Sequence, residues 1–228
     1  MNILAIDSST EACSAALLRD DGEVFSEFEV APRQHTRLLP RMMDAVLGAG
    51  GCSREAITHC AFANGPGAFT GIRISASIAQ GIGIALDIPL APISTLAVLA
   101  QANFDRHPGD SVLVALDARM SEVYWALYRR NGDGLANLQG QERLNRIDDV
   151  FVDSMPDRGA GHGWSVGYPA WKAWCDDHPT GIDADLLPDA RALVKLARRA
   201  VAEGQTAAAA DIRINYLRNE VADKSARV

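Results

Sequence analysis

The spacing of apolar residues along the 228-residue chain changes period several times, and each change marks an element. "ILAID" (Ile3 to Asp7) and "CSAALL" (Cys13 to Leu18) are apolar runs of strand length, and Asp20-Asp21-Gly22 after them is a hairpin turn of the Asp-Gly type. In "EVFSEFEV", Val24, Phe28 and Val30 fall on one face and Glu23, Glu27 and Glu29 on the other, the period of a half-buried strand. From Thr36 the period becomes helical. Leu39, Met42, Met43, Val46 and Leu47 recur at intervals of three and four until Gly48 and Gly50-Gly51 stop the pattern, with Pro40 near the helix start. "HCAFAN" (His59 to Asn64) predicts a strand, Thr70 to Leu86 a helix, "IPLAPI" (Ile88 to Ile93) a strand, and Ser94 the cap of a helix through Asn103. The predicted order is β-β-β-α-β-α-β-α.

The chain also matches itself at an offset of 110 residues. "LAID" at Leu4 to Asp7 returns as "VALD" at Val114 to Asp117, and "AALLR" at Ala15 to Arg19 returns as "WALYR" at Trp125 to Arg129. Gly22 matches Gly132 in a second turn, "RNGDG". Two copies of one strand-meander-plus-helix unit follow from this, an α/β chain with domains at 1–103 and 104–228. The second copy is reduced, with a helix near Trp171 and Trp174 and another from about Asp189 to Glu203. Its final segment is expected to pack back on the first domain.

Composition narrows the function classes. A net charge of -7 without any basic run gives no general attraction to polyanions, so nucleic acid is not expected as a partner of this chain alone. Cys13, Cys52, Cys60 and Cys175 lie far apart with no C-x-x-C pair, which speaks against a zinc cage or disulfide framework. Asp7 interrupts the apolar start where a signal peptide needs an unbroken core, so a cytoplasmic protein is expected. The charge-free stretch Ile74 to Leu86 is short for a membrane span.

Several motifs carry candidate chemistry. Asp7-Ser8-Ser9-Thr10 closes the first strand and suits either a phosphate or Mg²⁺ contact or a plain turn. In "GPGAFTG", Gly65, Gly67 and Thr70 suit an anion at a helix N-terminus, or a sharp turn with Thr70 as cap and close helix-to-strand packing at Gly71. No Walker A loop is present, because the chain contains no Gly-Lys pair. Within the helix, Gly71, Ser75, Ala79 and Gly83 form a ridge of small residues beside Ile74, Ile78, Ile82 and Leu86, an arrangement that lets another helix approach closely. Met42 and Met43 suit an adaptable contact surface. "GWSVG" around Ser165 matches a nucleophile elbow but lacks the preceding buried strand, and its one following base, His178, has Asp176 and Asp177 directly beside it. His35, His59, His107, His162 and His178 have no metal-ligand spacing.

"ILAIDSSTEACSAAL", "QHTRLLPRMMDAVL", "NGPGAFTGIRISASIAQGIGIAL" and "YLRNEVA" together resemble the TsaB (YeaZ) family, with Ile214 where that family often has Pro. The resemblance implies an actin/Hsp70-like (ASKHA) fold of duplicated α/β subdomains and a role in forming threonylcarbamoyladenosine beside the anticodon of tRNAs. It further implies a non-catalytic partner of the similar TsaD transferase, whose H-x-E-x-H metal motif is replaced here by "STLAVLAQ" (Ser94 to Gln101). Helices at about 36–48 and 70–86 would then contact TsaD, or a second copy in an isolated homodimer, through Leu39, Met42, Met43, Val46, Gly71, Ile74, Ser75, Ile78, Ala79, Ile82 and Gly83. The TsaE ATPase would join, tRNA would bind through the complex, and ATP and a metal would belong to TsaD rather than to this chain. Asp7, Ser8, Ser9, Gly65, Gly67 and Thr70 remain nucleotide or phosphate candidates. The competing expectations are a stand-alone hydrolase, peptidase-like or a Ser165 esterase, and a kinase-like enzyme using Asp7 and Asp117.

Overall fold

The internal repeat is built as two five-stranded sheets with the same strand order. The computed structural model describes residues 1–152, 156–165 and 181–218. The first sheet comprises β1 (Ile3–Asp7), β2 (Ala12–Leu18), β3 (Val24–Val30), β4 (His59–Ala63) and β5 (Leu90–Ile93), ordered β3-β2-β1-β4-β5. The second comprises β6 (Ser111–Arg119), β7 (Glu122–Arg130), β8 (Ala136–Arg146), β9 (Arg158–Ala160) and β10 (Gly181–Asp183), ordered β8-β7-β6-β9-β10. In each, an antiparallel meander is followed by two strands parallel to the first. Four helices are described: α1 (His35–Ala49), α2 (Phe69–Leu86), α3 (Thr95–Arg106) and α4 (Ala190–Ala202). Each repeat ends in a helix, and the two are exchanged: α3 packs on β6, β7 and β8, while α4 packs on the first sheet. This duplicated, helix-exchanged arrangement is the actin/Hsp70-like architecture.

The exchange explains the core. Ile3, Ala5, Val112 and Val114 from both central strands share one cluster with Leu96, Leu99, Leu193 and Ala197 of α3 and α4. The other face of the first sheet, with Leu4, Ile6, Leu17 and Phe62, is closed by Leu39, Met42 and Val46 of α1 and Ala76 and Ala79 of α2. Strands β1 and β2 are therefore buried on both faces, which is why their sequences are continuous apolar runs instead of alternating ones.

Four sequence expectations need correction. The central strands match at the inferred offset, but Leu4 faces Leu17 whereas Val114 faces Ala126, because the connection from Asp117 to its facing residue Val123 is one residue shorter than that from Asp7 to Ser14. In the second hairpin Gly134 (φ +78°), not Gly132, is the left-handed counterpart of Gly22 (φ +91°), each donating its N–H back to the third residue before it. β3 is an edge strand, exposed from Ser26 onward, and only Val24 and Phe25 are partly covered. α2 starts at Phe69 with Ala68 as its N-cap, so Thr70 is an exposed first-turn residue and caps nothing.

Ser94 does cap α3, accepting the Leu96 N–H at 3.2 Å, and Asp189 caps α4, accepting that of Ala192 at 2.8 Å. Pro40 is the sixth residue of α1. With Arg73 as its one charge, α2 is long and apolar enough by composition to cross a membrane, beyond the charge-free part. Its inner face, Gly71, Ile72, Ser75, Ala76, Ala79 and Gly83, is buried within the protein. The chain after α4 returns to the first sheet: Leu90 and Ala207 exchange N–H···O bonds of 2.9 and 2.8 Å, and Asn215 donates to Asn64 O at 2.8 Å. Trp171 and Trp174 lie outside the described residues.

Candidate functional site

The two central strands end at a cleft of about 1280 Å³ between the repeats. Its walls are the β1–β2 turn, the 66–72 entry to α2, the β6–β7 turn, His162 and the returning segment 215–218. Asp7 closes β1 beneath this floor, 2% exposed, with Oδ1 accepting the Ser9 N–H at 2.7 Å and Oδ2 without a hydrogen-bond partner. Burial pushes its carboxyl up to about 6, against the lowering effect of the Ser9 bonds. Asp117, two residues before the end of β6, makes the same local bond, accepting the Arg119 N–H at 2.7 Å, and is further paired with the Arg119 guanidinium at 3.0 Å.

The glycines of "GPGAFTG" are explained by close packing. A Cβ on Gly67 would lie 2.4 Å from Ser9 O, and one on Gly71 only 1.9 Å from Ser8 O. The loop can thus lie on the β1–β2 turn, where Ala68 donates to Ser9 O at 2.8 Å and Ser8 Oγ donates to Gly71 O at 2.9 Å. Gly65 has φ +104°, in the region glycine favours. The start of α2 nevertheless faces the cleft, and the fully buried Ser9 hydroxyl lies there beside the Asp7 carboxyl, whose pKa it helps to lower. A helix N-terminus and the nearby Arg33 and Arg119 can donate to an anion; Asp7, when ionised, opposes one.

Three groups escaped the sequence reading. His162 Nδ1 accepts the Asp117 N–H at 3.0 Å, which leaves its proton on Nε2, and burial lowers its pKa, so the ring is a neutral donor at the cleft. Arg218 donates to Ala118 O at 3.0 Å and pairs with Glu122 at 2.5 Å, closing one rim. Glu142 receives bonds from Tyr128 at 2.7 Å, from Asn215 at 2.8 Å and from Ser94. None of these has a spacing signal, because the partners come together only across the fold.

Of the interface candidates, Leu39, Met42 and Val46 face the core, at 0%, 7% and 1% exposure, and the small ridge Gly71, Ser75, Ala79 and Gly83 is buried too. The ridge is filled by the chain itself: a Cβ on Gly83 would meet Leu90 and Ala209 at 3.0 and 3.2 Å. Met43, Ile74, Ile78 and Ile82 are half-buried at the margin of the same core, open to the outside. Ser8 and Ser9 are buried and Thr70 is exposed. Ser165 ends a single 3-10 turn, His162–Ser165, not a strand-to-helix elbow, while Asp176, Asp177 and His178 lie outside the described residues. Among the described residues no three His, Cys, Asp or Glu side chains cluster as metal ligands would.

A family model described as "TsaD: tRNA N6-adenosine threonylcarbamoyltransferase" matches residues 28–219. The tRNA threonylcarbamoyladenosine biosynthesis protein TsaB of Escherichia coli (strain K12) is 40% identical over 98% of this chain and 97% of its own. The chain belongs to the TsaB family. Haemophilus influenzae TsaB is 36% identical over 97% of this chain and 95% of its own. Solved YeaZ of Pseudomonas aeruginosa is similar in structure, with TM-score 0.85 and 38% identity over 95% of this chain and 99% of that one. A second structure from that organism, described as an uncharacterized protein with similarity to the peptidase YeaZ, gives TM-score 0.86 at the same identity and coverage.

Proposed function

We propose that this chain serves threonylcarbamoyladenosine formation on tRNA in the cytoplasm as a non-catalytic partner of TsaD. The observation that carries the reading is the outward margin of α2, where Ile74, Ile78 and Ile82 stay half-open and a Cβ added at Gly81 would have no heavy atom within 4 Å. A helix face of aliphatic residues with a glycine on its crest can receive a second helix at short range. The α3 residues Leu96, Val98 and Leu99 are core residues with no exposure, where the resemblance to TsaD would require metal ligands facing a substrate. ATP and metal then reside with TsaD, TsaE completes the assembly, and tRNA is held through the complex. In isolation the same helix face pairs two copies.

Gly81→Arg tests the contact without disturbing the fold, since the new side chain enters open space. Co-elution with TsaD should be lost, and tRNA modification in a reconstituted mixture should fall by about tenfold or more, the effect of a buried unpaired charge at a helix contact. Intact co-elution and full modification by a folded Gly81→Arg protein would exclude this face. Gly83→Leu cannot serve, because it collides with Leu90 and Ala209 of the same chain.

A second reading is favoured by the buried Ser9 hydroxyl, which lines the cleft next to the start of α2. Here the cleft holds a nucleotide phosphate through Ser9 and the backbone from Gly65 to Thr70, with Asp7 and Ser8 supporting the turn. Calorimetry with ATP and Mg²⁺ on the isolated chain tests it, and the absence of heat at millimolar ligand would remove it.

A further inference from the structure

The two sheets have four edges among the described residues, and three are closed or interrupted. The β5 edge is paired with Ala207 of the returning segment. β10 has only three residues, and β8 carries a register shift beside Gly140, which has φ +81°. β3 has none of these devices: its seven residues pair with β2 in unbroken register, Val24 with Leu18 through Val30 with Ala12. It contains no Pro, Lys or Arg. Natural sheets seldom leave such an edge unguarded.

The register also shows what this edge presents. Arg19 donates to Glu23 O and Ala31 to Glu11 O, so the odd-numbered residues of this hairpin bond inward to β2. The N–H and C=O groups of Ser26, Phe28 and Val30 therefore point outward, as alternate residues of an antiparallel edge must. Phe28 is 44% and Val30 55% exposed on one face, while Glu27 and Glu29 are exposed on the other.

We propose that β3 is a docking edge for an extended basic segment of another protein. The segment would add as a sixth strand, place Lys or Arg against Glu27 and Glu29, and lay aliphatic side chains on Phe28 and Val30. A second copy of this chain is a poorer occupant. Two-fold pairing centred on Phe28 sets Glu27 opposite Glu29 on both sides, and pairing centred on Glu27 sets two Glu27 carboxylates face to face. A basic strand meets no such repulsion. The edge belongs to a different element from the α2 crest, so it stands or falls separately from the TsaD contact.

Fluorescence anisotropy with a labelled heptapeptide of alternating Lys and Val tests the proposal. Saturable binding is expected, weakening with salt as an exposed ionic contact does. Glu27→Lys/Glu29→Lys should weaken it by about tenfold or more and create binding of the corresponding Glu and Val peptide. Methylating alternate backbone nitrogens of the Lys peptide should abolish binding by removing the strand bonds. Equal affinity for wild type and the folded double variant, undiminished binding of the methylated peptide, or no binding of the Lys peptide at all would overturn the proposal. So would sedimentation showing a wild-type dimer that the double variant dissolves, since the occupant would then be a second copy.

Discussion

Asp7 and Asp117 occupy equivalent places in the two repeats but have different surroundings, and only the first is stripped of water and of a cationic partner. Because the folded-state pKa of Asp7, about 6, lies above its ordinary 3.8, the native state holds the proton more tightly than the unfolded chain. Its contribution is full below about pH 4 and is lost as pH rises through 6, by about 3 kcal/mol. Asp7→Asn keeps the Oδ1 acceptor for Ser9 and cannot ionise. Calorimetric melting of both proteins from pH 4 to 7.5 should show the variant gaining on wild type by about that amount; parallel curves would contradict a buried, proton-holding Asp7. Glycines give a second residue-scale contrast. Gly71→Ala drives a methyl into Ser8 O and should cost about 3 kcal/mol or more in urea unfolding, whereas Gly81→Ala should gain up to about 1 kcal/mol. Of the two, the sequence marked only Gly71, as part of the small-residue ridge, and that pattern does not say which side of α2 faces the sheet.

At the scale of elements, the hydrophobic pattern located every helix and every strand of the first repeat, since apolar runs and alternating or 3.6-residue patterns are properties of the local chain. The cap at Thr70 failed for a tertiary reason: the bond from Ala68 N–H to Ser9 O fixes where the loop enters, and α2 starts one residue before Thr70. The small ridge had two possible neighbours, and the chain's own sheet and returning segment took it. The caps that do hold can be weighed. Asp189→Ala removes the acceptor for Ala192 N–H and should destabilise the protein by about 1 kcal/mol, measured by urea unfolding. A larger loss would mean that the Arg106–Asp189 ion pair, at 3.6 Å, adds to the cap.

Across the whole molecule, the exchanged helices and the segment after α4 make the two repeats interdependent. Glu142 joins them at one point, taking bonds from Ser94 at the end of the first sheet, from Tyr128 in the second and from Asn215 in the returning segment. Burial and the nearby carboxylate hold the Tyr128 hydroxyl far above its usual pKa, so it remains a donor at any physiological pH. Glu142→Ala should cost about 2–4 kcal/mol, since three donors lose one shared acceptor. In hydrogen exchange, the Asn215 amide should lose protection while Ala207, bonded to Leu90, keeps it. Equal loss at both amides would show the segment to be released as one unit.

The sequence by itself determined the repeat, the meander in each copy, the four described helices and the family, because these rest on local period and on residues fixed by close approach. Tertiary structure decided which face of α2 is free, which carboxylate is buried, and which sheet edge is left open. Those outcomes depend on what the second repeat and the returning segment place against the first, and no local pattern carries that information.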